Sequence, residues 1–377
     1  MKWFDRWLRY LVGVFFIFSG LVKLDDPVGT GIKMKEYFEV FTNSIAGFFY
    51  LFIPYGLSIG FTVILLEIML GVALLLNYRM LLTSWLLLLL ILFFTFLTFF
   101  SAYFNKVTDC GCFGDAISLT PWQSFSKDVV LLTLIVILFM RRKYSRPVKV
   151  HWSIPELIMA GSFLIFIFLG LYAINHLPFI DFMPYRLGHN IPLLMKPSAP
   201  FRYKYVFEKD GTQFSFSEYP SDTTYRFKKM ILLNPGAQPK ITDYHVWNDQ
   251  GDFTNETFTG NKLFVIMYDV SRADLHHLGE LNQLLADIRK QNQADSLLGK
   301  TSQKVEMWIL TSSNKNEIED FRNKYHINIP YYYSDMTVLE AIVRSNPGLW
   351  LLKDGTVRGK WHYNDIPSAS MIADLVK

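Results

Sequence analysis

The chain has 377 residues, enough for two or three domains, and 51% of them are hydrophobic against 19% charged. A formal net charge of +4, with no long basic or acidic block, argues against nucleic acid as a partner. Two cysteines are too few for a disulfide scaffold.

Up to about Ile174 the chain is dominated by Leu, Phe, Ile and Val. About 20 apolar residues cross a hydrocarbon core of roughly 30 Å. Five stretches meet that need. Leu8 to Leu24 is the first, with Arg9 and Lys23 able to snorkel at its ends. No small-residue cleavage site follows it, so it is expected to be retained. Ile45 to Pro54 is apolar but too short to cross. An interfacial or re-entrant piece is expected there, preceded by the amphipathic run Lys33 to Val40.

Leu57 to Leu76 is the second span, with Glu67 near its middle. Leu81 to Phe104, without a charge, is the third. Pro121 to Met140 is the fourth. Thr120 and Gln123 have capping-box spacing and Pro121 suits a first helical position. Lys127 and Asp128 interrupt this span and are expected to face other helices or an aqueous vestibule. Ile154 to Ile174 is the fifth, opened by Ser153 and Glu156 at the same capping spacing.

Lys2, Arg6 and Arg9 precede the first span, Arg79 lies in the turn after the second, and Arg141, Arg142, Lys143, Arg146 and Lys149 follow the fourth. Positive charge marks the cytoplasmic side. The expected topology therefore has the amino terminus in the cytoplasm. The 105–120 loop and the carboxy-terminal domain lie outside, in the periplasm of a bacterial inner membrane, where disulfides persist.

The loop between the third and fourth spans holds both cysteines, Cys110 and Cys112, around Gly111. Three readings stay open: a redox-active dithiol, a soft-metal site such as Cu(I), and a structural disulfide or inert pair. Two thiolates are too few for a closed zinc site, so no metal is assigned. Lys106 and Lys127 would favour thiolate, while Asp109 and Asp115 would oppose it. Gly111 and Gly114 let the backbone bend. A bridge between residues two apart has restricted geometry, and strain makes such bonds more oxidising toward a partner. Glu67 also has two readings: a proton relay beside electron transfer, or a protonated or paired acid that fixes helix packing. No cofactor motif is evident; a quinone is the candidate carrier.

The run FSGLVKLDDPVGTGIK, Phe18 to Lys33, resembles the DoxX-like family, as does Glu67 followed by Gly71. The string DCGCFGDA, Asp109 to Ala116, followed by PWQSFSKD, resembles the MauE-type branch found in bacterial envelopes. The resemblance covers about residues 1–145. It implies a four-helix membrane bundle linked to thiol–disulfide chemistry, since MauE-like proteins are associated with disulfide formation in a periplasmic enzyme subunit. The fifth helix, about 153–175, is an addition to that pattern.

From 176 to 229 a linker or small irregular or β subdomain is expected. Over 230–377 strands and helices alternate: a strand at Leu263–Val270, a helix at Leu275–Lys290, a strand at Lys304–Leu310, a helix at Asn316–Lys324, a strand at Ile327–Tyr333, a short helix near Val338. A hairpin turning at Asp354-Gly355 and a closing helix from Met371 complete the pattern. This order resembles a soluble α/β thioredoxin-like fold, with Asn346-Pro347 where that fold carries its cis-proline. The resemblance places a Cys-x-x-Cys after the first strand, where this chain reads Val270-Ser271-Arg272-Ala273 without cysteine. His276 and His277, about 100° apart on a helix, do not suggest a shared metal.

The sequence thus predicts a thiol–disulfide membrane protein acting through Cys110 and Cys112 on an envelope client. Asp109, Gly111, Gly114, Lys127, Asp128 and Glu67 would support them. The alternative is a non-catalytic assembly subunit of an envelope membrane complex, with the thioredoxin-like domain as its binding module.

Overall fold

The computed structural model describes residues 2–107, 114, 116–117, 119–142, 153–297 and 304–377. It divides into two compact units, Met1–Phe182 and Met183–Lys377. Among the described residues, five helices of the first unit are long and apolar enough to cross a membrane.

In chain order the first unit holds α1 (Lys2–Asp25), α2 (Pro27–Ser44), a 3-10 helix (Gly47–Tyr55), α3 (Gly56–Leu76), α4 (Met80–Phe104), α5 (Pro121–Arg141) and α6 (Ser153–Asn175). The breaks follow local chemistry. Asp26 caps α2 by accepting from the Gly29 N–H at 2.8 Å, and Pro27 has no N–H to lose there. Asn77 and Asn105 end α3 and α4 in the left-handed region, at φ 55° and 51°. The expected capping box at Thr120 and Gln123 opens α5.

The short apolar stretch after α2 is the 3-10 helix, with Phe48, Tyr50, Leu51 and Tyr55 exposed, and it leads directly into α3. The amphipathic run Lys33 to Val40 lies within α2. Leu8, Val12 and Phe16 of α1 pack with Leu70 and Leu74 of α3, Leu87, Leu90 and Ile91 of α4, and Leu131, Ile135 and Leu138 of α5. That is a four-helix core. Helix α6 lies against α3 and α1, bringing Phe166 and Leu169 to Leu24, Ile64 and Ile68. At one end of the bundle Arg141 Nη2 donates to Asp5 Oδ2 at 3.1 Å, with a second bond from Nε to Oδ1.

The second unit begins with the one-turn helix α7 (Ile191–Leu194). A three-stranded antiparallel sheet follows: β1 (Tyr203–Lys209) lies between β2 (Thr212–Phe216) and β3 (Arg226–Leu232). Phe207 is its buried centre, edge-on to Phe216, Tyr219, Tyr225 and Phe227. The β2–β3 connection is tied down by Asp222. Thr224 donates to it from its backbone N–H (2.9 Å) and its hydroxyl (2.7 Å), and Lys209 Nζ from 3.2 Å.

These bonds, the Thr224 amide first, stabilise the carboxylate and lower the Asp222 pKa to about 2. The folded value lies below the unfolded one of about 3.9, so this contribution is fully present above pH ~4. It is lost as the pH falls toward 2. The Thr224 amide resonance is expected to shift and its exchange protection to fall across that window. In Asp222→Asn both should be flat with pH.

Next come β4 (Trp247–Asn248), β5 (Gly251–Asp252), β6 (Asn261–Ile266), α8 (Leu278–Leu297), β7 (Val305–Thr311), α9 (Lys315–Tyr325), β8 (Tyr331–Tyr333), α10 (Met336–Ile342), β9 (Gly348–Lys353), β10 (Thr356–His362) and α11 (Ala369–Val376). The large sheet runs β10-β9-β6-β7-β8-β4-β5. β6, β7 and β8 are parallel neighbours, while β9 is antiparallel to β6 and to β10. The hairpin turns at Asp354 (φ 47°) and Gly355 (φ 70°), the two left-handed residues that a tight turn between twisted strands requires. This strand–helix–strand–helix–strand order, closed by a hairpin beside the first strand and a final helix, is a thioredoxin-like fold. The expected cis-proline is present at Asn346–Pro347.

The sheet has two different faces because side chains alternate along each strand. Leu263 and Val265, Met307 and Ile309, and Leu349 and Leu351 point to the core shared with α8 and α9. Phe264, Trp308 and Trp350 point the other way, where Tyr185 and Tyr244 meet Trp350. The segment before α7 also covers the sheet edge. Gly188 N–H donates to Val357 O, Val357 N–H to His189 O, both at 2.9 Å, and Asn190 bridges to Thr356. An edge strand is thereby not left free to pair with another chain.

Candidate functional site

The first unit places four ionisable side chains inside its bundle. Glycines make this possible. A Cβ on Gly71 would stand 2.8 Å from the Gly13 carbonyl oxygen and 2.7 Å from Ile17, and one on Gly20 would stand 2.4 Å from Ile68. Helices α1 and α3 therefore approach as closely as backbones allow, as small residues permit in membranes. That approach sets Lys23 against Glu67, Nζ to Oε2 2.7 Å, with side chains 7% and 4% exposed. The Lys23 ammonium also lies 4.6 Å from the Phe94 ring centre.

A second pair comes from α5. Lys127 Nζ is 2.7 Å from Asp128 Oδ1, and Asp128 is buried. The Thr98 hydroxyl of α4 donates to the other oxygen, Oδ2, at 2.9 Å. Lys127 lies 5.8 Å from the Phe15 ring centre. A charge alone in hydrocarbon costs several kcal/mol, so each acid is retained with a cation at contact distance.

Both pairs line one cavity of ≈ 40 Å³, floored by Phe15, Phe16, Ile91, Phe94 and Leu131. Helix α2 supplies Thr30, Lys33 and Met34 to the same cavity. Lys33 in turn bonds Glu36 at 3.2 Å, and both are about one-third exposed. The cavity therefore has a charged rim on α2 as well as a charged interior.

Cys110, Cys112, Asp109 and Gly111 lie outside the described residues. Residues on both sides of them are described. Lys106 Nζ donates to Ser44 Oγ at the end of α2, 2.7 Å, and the Ser101 hydroxyl donates to the Val107 carbonyl. Gly114 takes φ +52°, and a Cβ there would lie 3.8 Å from the Val22 carbonyl oxygen, one residue from Lys23. Of the residues singled out from sequence, Glu67, Lys127 and Asp128 thus meet around one cavity, and Gly114 lies at the end of α1 that carries Lys23.

Sequence reasoning missed Lys23, Thr98 and Lys33. Lys23 was expected to snorkel at a helix end; it is instead turned inward to Glu67. The signal was the run Phe16, Ser19, Lys23, spaced three and four apart on one helix face.

In the second unit the stretch after β6 is a 3-10 turn, Val270–Arg272, capped by Asp269. Asn346 Nδ2 donates to Asp269 O at 2.7 Å, and Asp274 N–H donates to Asn346 O at 2.8 Å. The cis-proline loop is thus hydrogen-bonded to its own neighbour at the place where a thioredoxin carries its cysteines. His276 and His277 bind different acids, Asp274 and Glu280, each at 2.9 Å. Neither of the chain's two cysteines lies in this unit.

No curated protein matches the chain. Among solved structures, a thioredoxin-like protein from Bacteroides caccae is 12% identical, covering 90% of this chain and 91% of its own, with a TM-score of 0.24. That likeness is too weak to carry the fold, which rests on the strand order above. The family described as Methylamine utilisation protein MauE matches residues 1–141. The chain is therefore a membrane protein with a MauE-like region followed by a thioredoxin-like domain.

Proposed function

We propose that the chain is a membrane thiol–disulfide protein that exchanges disulfides with an envelope client through Cys110 and Cys112. The observation that carries this reading is the placement of Gly114 against Val22, beside the Lys23–Glu67 pair. Cys112 is two residues along the chain from Gly114, and Cys110 and Cys112 are the chain's only cysteines. One cysteine attacks a client disulfide, or is attacked by a client thiolate, and the other resolves the mixed disulfide.

The positive residues argue for an amino terminus in the cytoplasm of a bacterial inner membrane, with the loop and the thioredoxin-like domain in the periplasm. That domain lacks thiols, so its part is to hold the client or a companion protein near the loop. A lipid-soluble quinone is the candidate for the next electron acceptor.

Cys110→Ser and Cys112→Ser in the full chain test the reading. One variant is expected to accumulate a mixed disulfide with the client, and both to lose exchange. A membrane-impermeant maleimide is expected to label the reduced cysteines in intact spheroplasts. If neither variant alters the redox state of any envelope protein, the thiol–disulfide reading fails. The self-bonded cis-proline loop favours a second reading, an assembly subunit with the thioredoxin-like domain as its binding module. A complex that co-purifies unchanged without either thiol would support that one.

A further inference from the structure

We propose that the thioredoxin-like domain carries a binding site for a carboxylate borne on a flat apolar group, with Arg322 as its anchor and Tyr331 and Tyr333 as its wall. The inference does not depend on Cys110 and Cys112, and holds whether or not they exchange disulfides.

The large sheet continues two strands beyond β8. Trp247 of β4 pairs with Tyr333, and β5 follows at the edge. The step between α9, β8 and the turn that joins β4 to β5 is a cavity of ≈ 230 Å³. A cavity that takes up benzene measures about 150 Å³, so this one has room for a ring and a polar group together. Tyr331 and Tyr333 point to the same face of the sheet, being two apart on one strand, and their rings meet edge-on at 5.8 Å.

Arg322 stands in the last turn of α9 and lines the cavity. Its Nε is buried and has no hydrogen-bond partner, and among the described residues Arg322 forms no ion pair. Buried polar groups in folded proteins are bonded, so one left open in a cavity wall marks the place of a ligand atom. The guanidinium lies over the Tyr331 ring, 5.1 Å from its centre. Held by its face, it keeps its edge donors for an acceptor in its plane, and two parallel N–H groups match the two oxygens of a carboxylate.

The wall is built before any ligand arrives. Helix α8 fixes the connection from α9 to β8: Asn282 Nδ2 donates to Tyr325 O at 3.1 Å, and Arg289 Nη2 to Asn328 O at 2.6 Å. A preorganised wall lowers the entropic cost of binding.

Charge selects a carboxylate over a phosphate. Among the described residues, Arg322 is the only cation that lines the cavity. The nearby acids are engaged elsewhere: Asp249 with Lys315 Nζ at 2.8 Å, and Glu319 with the Tyr331 hydroxyl at 2.9 Å. One guanidinium beside two carboxylates suits a single negative charge and opposes a dianion. Asn248 Oδ1 accepts from the Gln250 N–H at 2.7 Å, which leaves the Asn248 amide nitrogen as a neutral donor at the turn. Two sources carry the required chemistry, a small aromatic acid and the carboxy-terminal residue of a peptide.

The test uses the full-length protein in lipid nanodiscs, with ligand binding followed by saturation-transfer NMR against empty nanodiscs. The probes are benzoate, N-acetylphenylalanine, its neutral amide and inorganic phosphate. At least one of the two carboxylates is expected to bind, and the neutral amide at least about tenfold more weakly than its acid. Arg322→Gln is expected to lower carboxylate affinity at least about tenfold, because a bidentate charge-assisted pair is lost. Arg322→Lys keeps the charge without the fork and is expected to recover only part of that loss.

Binding of benzoate supports a small acid as the source; binding of N-acetylphenylalanine alone supports a peptide end. The site is wrong if neither carboxylate binds, if phosphate or the neutral amide binds as well as the acid, or if Arg322→Gln binds like wild type. Acid against neutral amide on the wild-type protein keeps the test decisive should a variant fail to fold.

Discussion

Glu67→Ala is expected to cost the membrane bundle about 3–5 kcal/mol, the penalty for breaking a buried ion pair by removing one partner. The alanine leaves the Lys23 ammonium, 7% exposed, facing Phe94 without its carboxylate. Gly20 and Gly71 hold α1 and α3 at backbone contact, so the helices cannot close further over the gap. Unfolding of the protein in detergent or nanodiscs measures the loss. Replacing both partners together, Lys23→Met with Glu67→Met, is expected to restore most of it, because an apolar pair carries no desolvation penalty. A loss below about 1 kcal/mol for Glu67→Ala, the range of exposed pairs, would show that the pair is not buried as described.

Trp350→Ala is expected to destabilise the thioredoxin-like domain by about 3–5 kcal/mol, the usual cost of deleting a buried aromatic side chain. Trp350 is fully buried at the middle of β9, between β10 and β6. Its ring meets Phe264 at 5.4 Å and Tyr185 and Tyr244 at 6.1 Å each. It is therefore one of the contacts that hold the segment around Tyr185 and Tyr244 to the sheet. The loss should appear as a lower Tm and as faster proteolysis within that segment. Trp350→Phe keeps a ring and is expected to cost markedly less. Equal stability of Trp350→Ala and wild type would mean that this face of the sheet is not a core.

Runs of apolar residues made the five membrane-crossing helices legible, because the hydrocarbon core demands length and composition, both of which are local. The Asp-Gly turn and the Thr120 cap were legible for a similar reason: each depends on a few adjacent residues, whereas the cis-proline was expected only from the resemblance of the whole strand order. Boundaries moved where neighbours decided them. The expected strand Ile327–Tyr333 shortened to Tyr331–Tyr333, and the two short strands at 247–252 extend the sheet edge without any alternating pattern to announce them.

The family-like run from Phe18 to Lys33 gains a physical account from the fold. Gly20 permits helix contact, Lys23 pairs with Glu67, Asp26 and Pro27 cap α2, and Gly31 lets α2 approach Leu57, where a Cβ would be 2.8 Å from its Cα.

The sequence alone determined that half the chain belongs in a membrane, that its only two thiols share one Cys-Gly-Cys loop, and that the thioredoxin-like domain has none. Hydrophobicity and cysteine placement are properties of the chain itself. The tertiary structure decided that Glu67, 44 residues from Lys23, is its partner, and that Asp128 joins them around one cavity. Pairing across helices depends on how glycines let α1 and α3 meet and on which face of α5 turns inward. Neither is written in any single segment.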